Sequence, residues 1–332
     1  MGEKVYVGLS FPKRMIAHFE DCVELLEKNG FEVVVDENDH TLNEEELVSR
    51  LENAYAFVAA GEKVNDSVLD RVPTLKIVSR MGVGYEKIDV DAMNRHGAAL
   101  TITPGANAKP VAEYAISLMM AAARKVCCAD NLCRSGGWRT IFGTSLEGKT
   151  LGIIGLGHIG KQVVKYLSGY DMRVITFTRS SPDPEFAKKY HVEALSLEDV
   201  LSQSDFVFIH APSTPQTYHL LNKERFALMK ENTILVNCAR GEIVDEEALI
   251  EALKNHQIGA AALDVFEKEP VDPDNPLLKM DNVVLSPHTA GMTFEGRKIV
   301  VDMAFQNIID IRNGIAPKGL VNKDVAQVLN LK

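Results

Sequence analysis

One decapeptide constrains this chain more than any other: Leu151-Gly152-Ile153-Ile154-Gly155-Leu156-Gly157-His158-Ile159-Gly160. A short apolar run enters Gly-x-Gly-x-x-Gly, and a helical pattern from Lys161 to Leu167 leaves it. In a strand–turn–helix each glycine has a physical reason. Gly155 permits the tight turn, Gly157 lets backbone approach a pyrophosphate, and Gly160 lets the helix pack close to its strand. The helix N-terminus adds free N–H groups and the positive end of its dipole, which favour phosphate. A tight βα turn that binds nothing is the bland alternative. The flanking strand and helix favour a dinucleotide at Gly155, Leu156, Gly157, His158, Ile159 and Gly160.

The block sits near the middle of a 332-residue chain, too long for one ordinary core and suited to two domains. Upstream, short apolar runs at Val5–Leu9, Phe31–Val35, Ala56–Ala60, Leu75–Ser79 and Ala99–Ile102 alternate with amphipathic stretches such as Met15–Lys28 and Glu44–Glu52. Downstream a second series runs through Leu151–Ile154, Arg173–Phe177, Phe206–His210, Thr233–Val236, Ala260–Leu263 and Val283–Leu285, and a last helical pattern spans Thr293–Arg312. Alternation of this kind predicts an α/β fold with parallel sheets. The expected architecture is two doubly wound domains, a Rossmann dinucleotide-binding domain (103–292) inserted into a flavodoxin-like substrate domain (1–102 plus 293–332). A ligand is expected in the cleft between them. The helical segment at about 110–132 is apolar almost all round, so burial on more than one side and a homodimer interface are expected.

A net charge of −10 argues against nucleic acid or an anionic membrane surface as partner. No apolar run approaches a membrane span, and the N-terminus has no signal-peptide core, which points to the cytoplasm. The five cysteines form no C-x-x-C pair, so no metal site is signalled. Cys127, Cys128 and Cys133 fall in an apolar helical pattern and are expected to be buried structural thiols, with Cys238 a small packing residue.

Three strand ends carry the remaining chemistry. Asn237-Cys238-Ala239-Arg240-Gly241 offers a fixed cation, Asp264-Val265-Phe266-Glu267-Lys268-Glu269-Pro270 offers carboxylates, and Pro287-His288-Thr289-Ala290-Gly291 offers a histidine. Singly, each has a structural reading. Together they supply what reducing a 2-oxo acid needs: a proton from His288, Glu269 to hold its ring and raise its basicity, and Arg240 to clamp the carboxylate. At the end of the second strand of the Rossmann pattern, where an acid would select NAD, the chain reads Thr178-Arg179-Ser180. Arg179 would pair with a 2′-phosphate, so NADP(H) is favoured over NAD(H).

These blocks, in this order and approximate spacing along essentially the whole chain, resemble the D-2-hydroxyacid dehydrogenases, the family that includes phosphoglycerate dehydrogenase and glyoxylate/hydroxypyruvate reductase. The resemblance implies Arg240, Glu269 and His288 as catalytic residues. It places Asp264 near the nicotinamide, and His210, Ala211, Pro212, Thr217, Cys238 and Ala239 around the cofactor. It implies a substrate-binding turn with Arg80, Met81, Val83 and Gly84, to which Asn107 is added. Consecutive N–H groups at Val83 and Gly84 would hold a small anionic 2-oxo or 2-hydroxy acid. Trp138 falls in a segment the family associates with its dimer. Glu269 is similar to the family's general pattern and unlike its formate-oxidising branch, which has glutamine there. A second resemblance, to dinucleotide-sensing corepressors of the same fold, implies binding without turnover.

Overall fold

The computed structural model describes residues 2–9, 20–37 and 40–332. The chain divides into two compact units, Met1–Asn107 with Thr293–Lys332, and Ala108–Met292. Among the described residues the first unit contains a parallel sheet of β1 (Glu3–Leu9), β2 (Phe31–Glu37), β3 (Ala54–Ala59), β4 (Ile77–Arg80) and β5 (Ala99–Thr101). Its order, β2-β1-β3-β4-β5, is that of a flavodoxin-like fold.

The second unit contains β6 (Thr150–Ile154), β7 (Arg173–Phe177), β8 (Val192–Ala194), β9 (Phe206–Ile209), β10 (Ile234–Asn237), β11 (Ala260–Leu263) and β12 (Val283–Leu285). Every pairing is again parallel, in the order β12-β11-β10-β9-β6-β7-β8. Counted from β6 this is the Rossmann order 3-2-1-4-5-6 with one further strand at the edge. The loops that follow β6, β9, β10, β11 and β12 therefore emerge along one edge of one sheet.

Period-2 side-chain alternation explains why the strands are apolar throughout. Phe206 and Phe208 of β9 pack on one face, with Ala115, Met119 and Val163; Val207 and Ile209 pack on the other, with Leu201, Leu249 and Leu253. The first unit repeats the pattern: Val5 and Val7 pack with Leu26 and Phe305, while Tyr6 packs with Phe57, Leu47 and Met93. Each such side chain, fully buried, stabilises its unit by roughly 1.5–3 kcal/mol.

Two expectations are corrected. The single helix at about 110–132 is two, Ala108–Ala123 and Val126–Arg134, because Lys125 turns the chain with left-handed backbone (φ +53). Only the first is buried; no residue of the second is. Its thiols are accordingly not core groups: Cys127 and Cys133 are exposed, and the half-buried Cys128 donates to the Asp281 carbonyl at 3.3 Å. The short edge strand β8 has no counterpart in the sequence reading, since only Val192 of its three residues is buried. Of the helical pattern Met15–Lys28, Glu20–Lys28 is helix and residues 15–19 lie outside the described residues.

Candidate active site

The glycine block forms the turn from β6 into a helix, His158–Leu167. Gly155 has φ +97, and a Cβ there would stand 2.8 Å from the Ala211 nitrogen and from the His210 carbonyl, so no side chain fits. Gly160 faces the same limit, with a virtual Cβ 2.6 Å from the Gly155 oxygen. Gly157, the N-cap, has no side-chain cap, and nothing lies within 4 Å of its virtual Cβ. Leu156 is buried and Ile159 half-buried, leaving Gly157 and His158 exposed at an uncapped helix N-terminus. Open backbone beside unpaired N–H groups fits a pyrophosphate.

His210 closes the same turn from β9, donating its N–H to the Ile154 carbonyl at 2.8 Å. Both ring nitrogens are buried with no hydrogen-bond partner among the described residues, and burial pushes the imidazole pKa down to about 3. A neutral buried ring of this kind is a polar group that a bound ligand would satisfy. Ala211 and Pro212 follow, in a turn held by Thr217, whose hydroxyl donates to the Pro212 carbonyl at 2.7 Å and accepts from the Thr214 N–H at 2.8 Å. At the end of β7, Thr178 is half-buried and Arg179 and Ser180 are exposed; Arg179 makes no ion pair among the described residues. The residues present fit a dinucleotide laid along this edge.

The loops after β10, β11 and β12 converge on one histidine. His288 has left-handed backbone (φ +50), a conformation costing about 1–2 kcal/mol for a non-glycine residue. Asp264, buried at 1% exposure, holds the turn around it. Its carboxylate accepts from Ser286 Oγ at 2.6 Å, Thr289 N–H at 2.8 Å and Ala290 N–H at 2.9 Å, and its carbonyl accepts from the His288 N–H at 2.8 Å. The His288 ring meets Glu269, with Nδ1 2.7 Å from Oε2, while Oε1 accepts from the Phe266 N–H at 3.1 Å. Nε2 makes no hydrogen bond among the described residues.

Charge tunes the pair. The Glu269 hydrogen bond raises the His288 pKa above the usual imidazole range, outweighing burial and the repulsion from Arg240. Burial pushes the Glu269 carboxyl up, but the His288 and Phe266 hydrogen bonds, with the His288 and Arg240 charges, bring it below the usual carboxylate range. Arg240 thus acts on both partners. Its Nη1 donates to the Ala239 carbonyl at 2.8 Å. Cys238 and Ala239 are buried behind it, and burial drives the Cys238 thiol up, so that sulfur is inert packing.

In the first unit, Arg80 ends β4 and donates to the Met81 carbonyl, and Gly82 takes φ +143. Met81 is buried, Val83 exposed and Gly84 half-buried. Among the described residues no acceptor takes the Val83 or Gly84 N–H groups. Asn107 is the last residue of this unit and is half-buried.

The sequence reading assigned no role to the side chains that hold this arrangement. Buried Asn237 donates to the Arg240 carbonyl at 2.9 Å and accepts from the Ala239 N–H at 3.0 Å, folding the β10 turn on itself. Ser286 orients Asp264. Gly241 lets the β10 loop lie against the β11 loop, for a Cβ there would fall 1.9 Å from the Phe266 carbonyl carbon. A glycine followed by a charged residue carries no sequence signal for such contact. Gly241→Ala is expected to destabilise the chain by about 3 kcal/mol or more, because backbone on both sides must move. A thermal midpoint within a degree or two of wild type would contradict that.

Residues 116–290 match the family model described as D-isomer specific 2-hydroxyacid dehydrogenase, NAD binding domain. A glyoxylate reductase of Thermofilum pendens is 36% identical over 99% of this chain and 97% of its own length. A D-3-phosphoglycerate dehydrogenase of Archaeoglobus fulgidus is 39% identical over 91% of this chain, but only 57% of its own length is matched. A crystal structure of a Thermus thermophilus protein superposes with TM-score 0.86 at 33% identity, covering 96% of this chain and 99% of that one. The converging loops, the glycine turn and these likenesses lead to one conclusion: the chain belongs to the D-isomer specific 2-hydroxyacid dehydrogenase family, and the sheet of its second unit is that family's NAD-binding domain.

Proposed function

We propose that this enzyme interconverts an (R)-2-hydroxy acid and its 2-oxo acid, with His288 as acid/base, Glu269 as its partner and Arg240 as the carboxylate clamp. One observation carries the reading, the 2.7 Å contact between His288 Nδ1 and Glu269 Oε2. It fixes the tautomer and leaves Nε2 to face a substrate oxygen. A bound nicotinamide supplies or accepts the hydride. In reduction, His288 gives its Nε2 proton to the developing alkoxide, and the imidazolium charge is balanced by Glu269. Arg240 orients the carboxylate and polarises the neighbouring oxo group. Asp264 acts through the turn it holds. In the first unit, the Arg80–Gly84 turn is kept as a substrate-recognition element, together with Asn107.

The dinucleotide would lie on Gly155–Gly160, with His210, Ala211, Pro212, Cys238 and Ala239 lining it. No acid stands directly at the end of β7, where Thr178, Arg179 and Ser180 favour NADP(H) over NAD(H). Arg179→Ala is expected to raise the Kd for NADPH about tenfold, the value of one charge-assisted hydrogen bond, and to leave NADH unchanged. Equal losses for both would remove Arg179 from cofactor choice. A homodimer is proposed through the face around Val126–Arg134, where Trp138 (94% exposed) and Phe142 (83%) stand free of the core. No helix among the described residues is long and apolar enough to cross a membrane.

Glyoxylate is the first substrate to try, since a full-length relative carries that name; hydroxypyruvate, pyruvate and phosphohydroxypyruvate complete the panel. The test follows loss of nicotinamide absorbance with NADPH or NADH against each. Turnover of at least one 2-oxo acid is the expected result. Dinucleotide binding with no turnover on any of them would favour the sensor reading instead.

A further inference from the structure

A second histidine–carboxylate pair lies beside the first. His219, in the loop after β9, has left-handed backbone (φ +47). Its Nε2 is 2.8 Å from Glu267 Oε1, and its ring stacks on Tyr218 with centroids 4.0 Å apart. Its N–H donates to the Glu242 carbonyl at 2.8 Å. One residue therefore grips two other loops, by backbone the one after β10 and by side chain the one after β11. Glu267 is tied down in turn: its N–H donates to Glu246 Oε2 at 3.2 Å, and its Oε2 accepts from the Glu246 N–H at 3.4 Å.

The register of these contacts gives them a consequence. Glu242 is two residues past Arg240, and Glu267 is two residues before Glu269. Whatever sets the distance between Glu242 and Glu267 also sets the distance between the clamp and the carboxylate that holds His288. Gly241 supplies close approach there without direction, since backbone against backbone is free to slide. The imidazole–carboxylate bond adds direction.

We propose that His219 and Glu267 are positioning residues that hold the Arg240 and Glu269 loops in register; this rests on the catalytic roles proposed above. Their removal loosens the Glu269–His288 contact without deleting any reacting group. A displacement of about 1 Å at a reacting centre costs on the order of 100-fold in rate. Because the His288 pKa is raised by Glu269, a looser contact lowers it. The high-pH fall in the reduction rate then moves to lower pH.

The experiment measures kcat, KM and the pH profile of 2-oxo acid reduction for Glu267→Ala, Glu267→Gln and His219→Phe, beside His288→Gln. Glu267→Ala is expected to lower kcat about 10- to 100-fold, with the high-pH limb displaced downward. Glu267→Gln still accepts from Nε2–H and is expected to recover most of the rate and the original limb. His219→Phe keeps the stack on Tyr218 and should reproduce the displaced limb, so it carries the test if Glu267→Ala does not fold. A wild-type limb in either folded variant, with only a lowered Tm, overturns the proposal. Should His288→Gln retain turnover, the failure lies in the catalytic reading itself.

Discussion

His288→Gln is expected to lower kcat on the order of 10³-fold or more, while the variant still binds its dinucleotide. Glutamine keeps a polar side chain on the turn but cannot give up a proton at neutral pH. The turn itself should survive, because Asp264 holds it through Ser286 and the N–H groups of Thr289 and Ala290 rather than through the ring. The wild-type pH profile gives a second, independent reading. Reduction needs His288 protonated and Glu269 ionised. Glu269 titrates below the usual carboxylate range and His288 above the usual imidazole range. The reduction rate should therefore hold across a wide plateau, falling only as pH drops through the lowered carboxyl or rises through the raised imidazole. Oxidation needs the neutral ring, so its rate should rise with pH through that same imidazole. Opposite limbs sharing one titration would identify a single group working in both directions. A His288→Gln variant retaining a tenth of wild-type kcat would exclude that group.

Much of the fold was legible because its signals are local. Apolar runs of four or five residues between helical patterns mark buried parallel strands, and Phe206–Ile209 reads that way because both of its faces are covered. The exceptions are equally physical. β8 is too short and too exposed to leave a pattern, and the break at Arg124–Lys125 needs no glycine or proline to announce it. Apolar composition carried the helical reading across that break, although no residue of Val126–Arg134 is fully buried. At the candidate site, the residue types that bear charge stand out at strand ends. What holds them there does not. Gly241 and Ser286 act through contacts 25 and 22 residues away in sequence, the approaches of Gly241 to Phe266 and of Ser286 to Asp264. Such distances exist only once the sheet has brought the loops together. His219 and Glu267 are a sharper case, 48 residues apart and 2.8 Å from each other.

Arg240 should give the other large effect, and the shape of the loss matters more than its size. A guanidinium offers a planar fork to a carboxylate, and here it is braced by its own bond to the Ala239 carbonyl, with Asn237 locking the turn beneath it. If it binds the substrate carboxylate and also steadies charge growing on the oxo oxygen, Arg240→Ala must raise KM and lower kcat together. The expected loss in kcat/KM is about 10³-fold or more, comparable to removing a preorganised charged donor from an active site. Arg240→Lys keeps the charge without the fork or its brace, and should fall between the two. The pH profile separates clamp from mere charge. In wild type the Arg240 charge lowers both titrations, acting on His288 against the stronger Glu269 bond and on Glu269 beside the His288 and Phe266 hydrogen bonds. Removing it should move both limbs of the reduction profile to higher pH. Arg240→Lys should leave them nearly in place while still losing rate. A KM unchanged in Arg240→Ala would mean the carboxylate is held elsewhere, and limbs unmoved in that variant would mean the guanidinium lies too far from His288 to serve the reaction at all.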